Sequence, residues 1–270
     1  LRDQGIDLYF GMATYEETTL RGGITQRDYD VGSGPVCLYG AAYQSLFFPS
    51  ERDELLIFLN GGGACWSEFC LATWTPDSSL SFPGIEGDCG DDKQECFDAL
   101  SFTGITSPDA ETNPFRNWGM LVLPYCDGSL YLGDAATDTD GDGEIDRRQR
   151  GLANLTAGLE HARDKHPNPS RIVLAGSSGG GFGTIPASIL TRFIWPDVPI
   201  DVINDSGIGV AKDGDADFIE TLKEDWQPTA FVPESCEDCM SDGHLFDMLR
   251  WQLERDPNMR MGAFSTCLLY

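Results

Sequence analysis

Residues 171–183 read Arg-Ile-Val-Leu-Ala-Gly-Ser-Ser-Gly-Gly-Gly-Phe-Gly, and this stretch decides the fold. Its β-branched start predicts a buried strand, and the apolar residues from Thr184 onward predict a helix. Between them lies a Gly-x-Ser-x-Gly pattern centred on Ser178, because Gly176 stands two positions before it and Gly180 two after. This strand-turn-helix setting is that of a nucleophile elbow, where glycines let strand and helix approach closely. The alternative is a glycine-rich turn that binds a phosphate.

A second glycine-rich segment lies well upstream of this turn. Residues 54–59, Glu-Leu-Leu-Ile-Phe-Leu, predict a buried strand, and Asn60-Gly61-Gly62-Gly63-Ala64-Cys65-Trp66 follows it. Such a loop forms half of the oxyanion hole in an α/β-hydrolase. Its backbone N–H groups would face the charge that develops when a serine attacks a carbonyl, and each donor contributes roughly 3 kcal/mol. The two segments in this order favour serine esterase chemistry.

The overall composition narrows the class of protein. The 270 residues are enough for one α/β domain, and no apolar run reaches the length of a membrane span. The net charge of −26, from 18 basic and 44 acidic residues, disfavours nucleic acid as a partner. A start at Leu1 suggests a processed or trimmed chain. The acidic surface is typical of a secreted protein, although solubility alone would explain it.

Nine cysteines indicate disulfides in an oxidising, extracellular compartment. The pairs Cys65–Cys70 and Cys89–Cys96 are local candidates, but sequence does not determine the connectivity. Cys236-Glu-Asp-Cys239 is a lone CxxC with only His244 nearby, which disfavours a zinc site. The odd total implies one free thiol or a partner cysteine elsewhere.

Strands alternate with helices along the chain, which predicts an α/β fold with a mostly parallel sheet and helices on both faces. The strand candidates are residues 54–59, 119–124, 171–175 and 199–204, and the helix candidates are 151–165, 185–193 and 246–253. Residues 75–115, rich in Pro, Gly, Ser and Asp, predict an irregular, disulfide-containing excursion over the active-site mouth. We expect one domain over residues 1–270.

The segment from Asp138 to Asp146 resembles the start of a calcium-binding loop. Acidic residues fall at loop positions one, three, five and nine, with glycine at six and an aliphatic residue at eight. Gln149 stands where the bidentate glutamate should be. We expect a structural Ca²⁺ ion here, with an exposed acidic turn as the alternative. The candidate ligands are Asp138, Asp140, Asp142, Glu144 and Asp146.

The elbow, the glycine loop and Pro124-Tyr-Cys-Asp-Gly-Ser129 together resemble the pectin acetylesterase/Notum family. These are extracellular, disulfide-bearing α/β-hydrolases that remove acyl groups, and Asn204-Asp-Ser-Gly207 resembles another of their segments. The resemblance implies that Ser178 is the nucleophile and that Gly62, Gly63 and Gly179 supply the oxyanion-hole amides. Gly63 stands where Notum has tryptophan, which favours a deacetylase over a lipid deacylase. The acidic loop is an insertion relative to the plant enzymes.

The resemblance places the catalytic acid and base late in the chain. Residues 264–270 fit a family segment whose next residue is the acid, so acid and histidine are expected beyond Tyr270, on a further C-terminal segment or another subunit. His161 and His166 precede the elbow and are expected on the surface. His244 is the alternative base. Asp205 is an alternative acid, although a place on the pocket floor is favoured.

The resulting hypothesis is a secreted, calcium-stabilised serine carboxylesterase that forms an acyl-enzyme on Ser178. The expected partner is an ester substrate, an acetylated carbohydrate. Trp66, Asp127, Ser129 and Asp205 are the candidate substrate-binding residues. The rival hypothesis is a non-catalytic extracellular binding or structural protein on a hydrolase scaffold, and a zinc hydrolase is disfavoured because three scattered histidines form no ligand cluster.

Overall fold

An eight-stranded sheet forms the centre of the fold in a computed structural model that describes residues 2–67, 69–70, 93–100, 102–210, 216–240 and 244–265. The strands are β1 (Tyr15–Thr19), β2 (Thr25–Tyr29), β3 (Gln44–Phe48), β4 (Glu54–Leu59), β5 (Cys65–Trp66), β6 (Phe69–Cys70), β7 (Gly119–Leu123), β8 (Ala135–Thr137), β9 (Arg147–Gln149), β10 (Arg171–Ser177), β11 (Ile200–Asp205) and β12 (Met259–Phe264). The α-helices are α1 (Lys93–Ala99), α2 (Gly151–Lys165), α3 (Gly179–Ile194), α4 (Ala216–Trp226) and α5 (Phe246–Arg255).

The main sheet has the order β1-β2-β3-β7-β4-β10-β11-β12, and β5–β6 and β8–β9 form two small hairpins. The five strands from β7 to β12 in this order are mutually parallel, whereas β1, β2, β3 and β7 pair antiparallel. All four strands expected from the sequence are present, within two residues of their predicted ends. The prediction of a mostly parallel α/β sheet is confirmed.

Strand β2, in the antiparallel part of the sheet, has no apolar pattern in the sequence, because most of its buried positions are polar. Strand β2 reads Thr-Gln-Arg-Asp-Tyr, and four of its five residues are buried. Arg27 is 4% exposed and forms ion pairs with Glu17 and Asp164, both at 3.0 Å. A buried guanidinium needs carboxylate partners, and here they come from residues distant in the sequence. The local sequence pattern therefore does not predict this strand.

Helices cover both faces of the sheet, as predicted. On one face, α2 and α3 pack against the β4 side chains Leu55, Ile57 and Leu59. On the other face, α1 and the segment that follows it cover Leu56 and its neighbours. The apolar stripe of α2, formed by Leu152, Leu155, Leu159 and Ala162, is fully buried, and burial extends around most of the helix. No described helix combines the length and hydropathy that a bilayer span requires.

Two disulfides are fully described. Cys37–Cys126 joins the segment before β3 to the segment after β7, and Cys236–Cys239 closes the CxxC motif. Cys65 is disulfide-bonded and lies opposite Cys70 in the β5–β6 hairpin. The predicted Cys89–Cys96 pair lies outside the described residues, as does much of the expected excursion at 75–115, within which α1 is helical.

His161 is buried on α2, so its predicted surface position is wrong. Its Nδ1 lies 2.8 Å from Ser45 Oγ and its Nε2 lies 2.9 Å from Thr25 Oγ1. Tyr29 donates its hydroxyl proton to the Ala157 carbonyl, so Ser45 donates to Tyr29 and His161 Nδ1 donates to Ser45. Nε2 is therefore the unprotonated nitrogen. Burial and the charge of Arg27 lower the pKa of His161 to about 2.

Because His161 is buried and uncharged, we expect the folded protein to lose stability in acid. Below pH 6.5 the unfolded chain protonates His161 while the folded protein does not, so stability falls as pH falls, by up to about 1.4 kcal/mol per pH unit. The free energy of unfolding of His161→Gln, measured with urea, should be lower than that of the wild type at pH 7. Between pH 6.5 and 4.5 it should fall less than that of the wild type. His166→Gln, at the half-buried end of α2, is the control. Parallel pH curves for wild type and His161→Gln would contradict the prediction.

Candidate active site

Ser178 lies in a strained turn between β10 and α3. Its backbone angles are φ 54° and ψ −121°, a combination that side-chain-bearing residues rarely adopt. A Cβ on Gly176 would overlap the Gly180 carbonyl, and a Cβ on Gly180 would overlap the Leu59 carbonyl. The Ser178 N–H donates to the Asp205 carbonyl at 2.8 Å. Such strain persists only where its surroundings enforce it, and it is typical of functional turns.

The glycine loop at residues 60–64 lies directly against this turn. A Cβ placed on Gly61 would stand 2.9 Å from Ser178 Cβ, and one placed on Gly179 would stand 3.4 Å from the Gly62 nitrogen. Strands β4 and β10 are neighbours with Leu59 opposite Gly176, so the loops that follow them must meet. The structure therefore brings together the predicted nucleophile and three predicted oxyanion-hole residues, with a Cβ on Gly179 also 3.3 Å from the Gly63 carbonyl.

The backbone N–H groups of the glycine loop differ in whether they have an acceptor within the described part of the chain. None of the N–H groups of residues 61–64 donates to a described residue, whereas Asn60 N–H donates to Leu123 O and Cys65 N–H to Gly128 O. The Gly179 N–H is in the first turn of α3, where a helix supplies no acceptor of its own. Amides without internal partners beside a serine can bind a negatively charged oxygen.

Two cavities flank the turn. The first, of about 290 Å³, is lined by Ser177 and Ser178, by the end of β4 and by the segment after α1, through Leu100, Phe102, Thr103 and Thr106. Within the described ranges, Ser178 Oγ has no hydrogen-bond partner. The second, of about 310 Å³, is almost wholly apolar and borders the glycine loop at Ala64. Its walls include Ala64, the predicted substrate contact Trp66, Phe182 on α3 and several residues of α4.

Asp127 and Ser129 are buried and line neither of these two cavities. Their exposed fractions are 1% and 0%, and Ser129 Oγ donates to the Asp127 carboxylate. Burial raises the pKa of Asp127 to about 6, partly offset by hydrogen bonds from Ser129 and from backbone amides. Gly128, between them, accepts the Cys65 N–H at 2.7 Å. Their burial gives no support to the predicted substrate contact.

Asp205 braces the turn from the neighbouring strand. Its carboxylate accepts hydrogen bonds from Ser177 Oγ and Ser206 Oγ, both at 2.9 Å. Asn204, wholly buried, donates to the carbonyls of Gly181 and Gly207. Both residues belong to the segment singled out by resemblance, but the role of Asn204 follows only from its contacts.

None of the three histidines forms a described contact with Ser178. His161 belongs to the buried network of α2, His166 follows the end of that helix, and His244 precedes α5. The segment matched to the catalytic acid is described only as far as residue 265. The base and acid expected beyond Tyr270 therefore stay predictions.

The acidic loop connects β8 to β9. Carboxylate oxygens of Asp138, Asp140 and Asp146 lie within 4.8 Å of one another, whereas Asp142 and Glu144 are not part of this group. Asp138 accepts N–H groups from Gly141 and Gly143, which folds the loop around it. Three carboxylates at this spacing could share one cation.

Comparison with known proteins identifies related sequences. Residues 19–224 match the family described as PAE: Pectinacetylesterase. Pectin acetylesterase 4 of Arabidopsis thaliana is 27% identical over 168 residues, which cover 58% of this chain and 36% of that protein. Pectin acetylesterase 7 of the same plant is 26% identical over 189 residues, covering 68% of this chain and 45% of that protein. The chain thus spans less than half the length of these relatives.

The fold is similar to that of a solved structure, the Wnt deacylase Notum from Drosophila. The TM-score is 0.63 at 17% sequence identity, with 93% of this chain and 71% of that chain covered. This similarity confirms the predicted α/β-hydrolase-like fold. Because the family match extends over most of the sequence, the chain belongs to the pectinacetylesterase family.

Proposed function

We propose that this protein is a serine carboxylesterase that uses Ser178 as its nucleophile. The observation that carries this proposal is the contact between the strained serine turn and a glycine loop whose amides lack internal acceptors. The names of the relatives support an acetylated polysaccharide as substrate. The described disulfides favour a secreted protein, since such bonds persist in oxidising compartments.

The proposed reaction has two acyl-transfer steps. Ser178 Oγ attacks the ester carbonyl while a histidine accepts its proton, and Gly62, Gly63 and Gly179 N–H groups stabilise the tetrahedral oxyanion. The histidine then protonates the departing alkoxide, which leaves an acyl-enzyme. Water, deprotonated by the same histidine, attacks that ester; the C–Oγ bond breaks, the histidine returns the proton to Ser178 Oγ, and the carboxylic acid leaves. The histidine and its orienting acid are those expected beyond Tyr270.

The two adjacent serines provide a direct test. A fluorophosphonate probe should label the intact natural protein and the Ser177→Ala variant. Ser177 is not the expected site of labelling, because its Oγ donates a hydrogen bond to the Asp205 carboxylate. Ser178→Ala should show no labelling, since the nucleophile is gone, as measured by mass spectrometry of the adduct. Labelling that survives Ser178→Ala would contradict the assignment. A folded but unlabelled wild type would favour the non-catalytic scaffold.

The apolar cavity favours a second candidate, the release of longer acyl groups. Its volume of about 310 Å³ is many times the roughly 30 Å³ that one water occupies. Its apolar walls begin at Ala64 and Phe182, both close in sequence to the proposed oxyanion-hole residues. An acyl chain bound there would bury its apolar surface away from water. Because a longer chain buries more surface, the cavity would bind longer acyl groups more tightly than acetyl.

Acyl-chain preference separates these candidates. We expect the acetyl ester to be preferred over the hexanoyl ester in kcat/KM, and Leu222→Phe, which narrows the cavity, to leave acetyl hydrolysis unchanged. Leu8→Phe, at an exposed position, is the control. A preference for hexanoyl that Leu222→Phe lowers by about tenfold or more would establish the second candidate instead.

We further propose that the acidic loop binds one structural Ca²⁺ ion through Asp138, Asp140 and Asp146. Oxygen ligands in an exposed, charged turn suit a hard cation. The ion would stabilise the β8–β9 hairpin, whose Gln149 side chain donates to the Cys65 carbonyl at 2.8 Å. This role is structural, and no step of the proposed reaction depends on it.

Calcium should therefore raise thermal stability. At calcium concentrations about a hundredfold above Kd the gain is about 2.7 kcal/mol, which corresponds to several degrees in Tm for a chain of this size. The variant carrying both Asp138→Asn and Asp146→Asn should lose this shift, while Asp109→Asn, exposed elsewhere, should keep it. An equal calcium-induced shift in all three proteins would refute the assignment.

A further inference from the structure

Two buried tyrosines lie beneath the glycine loop. Tyr125 and Tyr131 are 2% and 1% exposed, and their ring centroids are 5.0 Å apart. Both follow β7, in the segment that also contains Asp127. Because both side chains are buried, they cannot reach a bound substrate directly. Any influence on the reaction must pass through the backbone that they contact.

Tyr125 contacts both halves of the proposed oxyanion hole. Its Cδ1 atom lies 2.9 Å from the point where a Cβ on Gly62 would stand, and its Cε1 atom lies 3.4 Å from the corresponding point on Gly179. These distances leave room for glycine alone at position 62. The hydroxyl accepts the Leu130 N–H at 2.8 Å, which fixes the ring in its plane. One rigid ring thus touches the glycine loop and the serine turn together.

Tyr131 anchors the beginning of the same loop. Its hydroxyl lies 2.9 Å from the Asn60 carbonyl and 3.1 Å from the Leu123 carbonyl, so its one proton is shared between the residue after β4 and the last residue of β7. Leu130 and Tyr131 both have positive φ, at 55° and 63°. Such conformations cost of order 1–3 kcal/mol each and persist when surrounding contacts enforce them. The strained turn holds the tyrosine pair against the loop.

We propose that Tyr125 is a positioning residue whose ring sets the separation between the Gly62 and Gly179 amides. This inference rests on the proposed esterase function. Oxyanion donors act over 2.7–3.1 Å, so a small change in their separation weakens transition-state binding. Substrate binding in the ground state does not depend on that geometry in the same way. Loss of the ring should therefore lower kcat while KM changes little.

The test compares variants that keep or remove the ring. Tyr125→Leu should lower kcat on an acetyl ester by roughly tenfold to a hundredfold, with KM within about twofold. Affinity for a boronic acid, which forms a tetrahedral adduct with the serine, should fall by the same factor. Tyr125→Phe keeps the ring and should keep kcat, although it leaves Leu130 N–H unpaired and lowers Tm.

Tyr29→Leu is the matched control, because Tyr29 is equally buried and lies on β2 away from the loop. It should lower Tm and leave kcat per folded molecule unchanged. Should Tyr125→Leu not fold, Gly62→Ala probes the same contact, since its Cβ would press on Tyr125, and kcat should fall similarly.

An active wild type with unchanged kcat in Tyr125→Leu, or in Gly62→Ala where Tyr125→Leu does not fold, would overturn this inference alone. An equal kcat loss in Tyr125→Phe or Tyr29→Leu would also overturn it. A wild type without turnover or labelling would refute the proposed function, and the inference with it.

Discussion

The close approach of two backbone segments is the constraint on which the site depends. The turn at Ser178 and the loop at Gly61 come within van der Waals contact because Gly61 has no side chain, and a Cβ there would overlap the Ser177 carbonyl oxygen. Any Cβ at Gly176 or Gly180 would overlap a carbonyl oxygen. This close packing enforces the strained backbone conformation of Ser178. The serine therefore stays in the turn at the edge of the sheet and does not adopt helical backbone angles.

The order of the strands explains why these segments meet. Strands β4 and β10 are adjacent and parallel, so the glycine loop and the serine turn leave the sheet at the same edge. Strand β11 pairs with β10 on its other side and brings Asp205 beside Ser177. Parallel strands place their C-terminal ends together, and α/β folds commonly bind ligands there.

Sequence pattern predicted the parts of the fold that depend on local apolar runs. Strands β4, β7 and β10 carry apolar runs, β11 mixes apolar and polar residues, and α2 carries an apolar stripe. Each lies near its expected ends. Strand β2 could not be found in this way, because Arg27 and its neighbours are buried through ion pairs and hydrogen bonds. His161 was misplaced for the same reason: its partners, Thr25 and Ser45, are more than a hundred residues away in sequence.

Hydrogen bonds hold the glycine loop at both ends, whereas the N–H groups of residues 61–64 have no acceptor among the described residues. An oxyanion hole requires such a combination. Tyr131 holds the Asn60 carbonyl at the start, and the Cys65 carbonyl at the end accepts hydrogen bonds from Gln149 and Trp226. The sequence predicted Asp127 as a substrate-binding residue, whereas the structure buries it beside Ser129 and the Gly128 carbonyl that accepts the Cys65 N–H. Donors held in place before substrate arrives need no reorganisation as charge develops, so the supporting residues matter to the rate without touching the substrate.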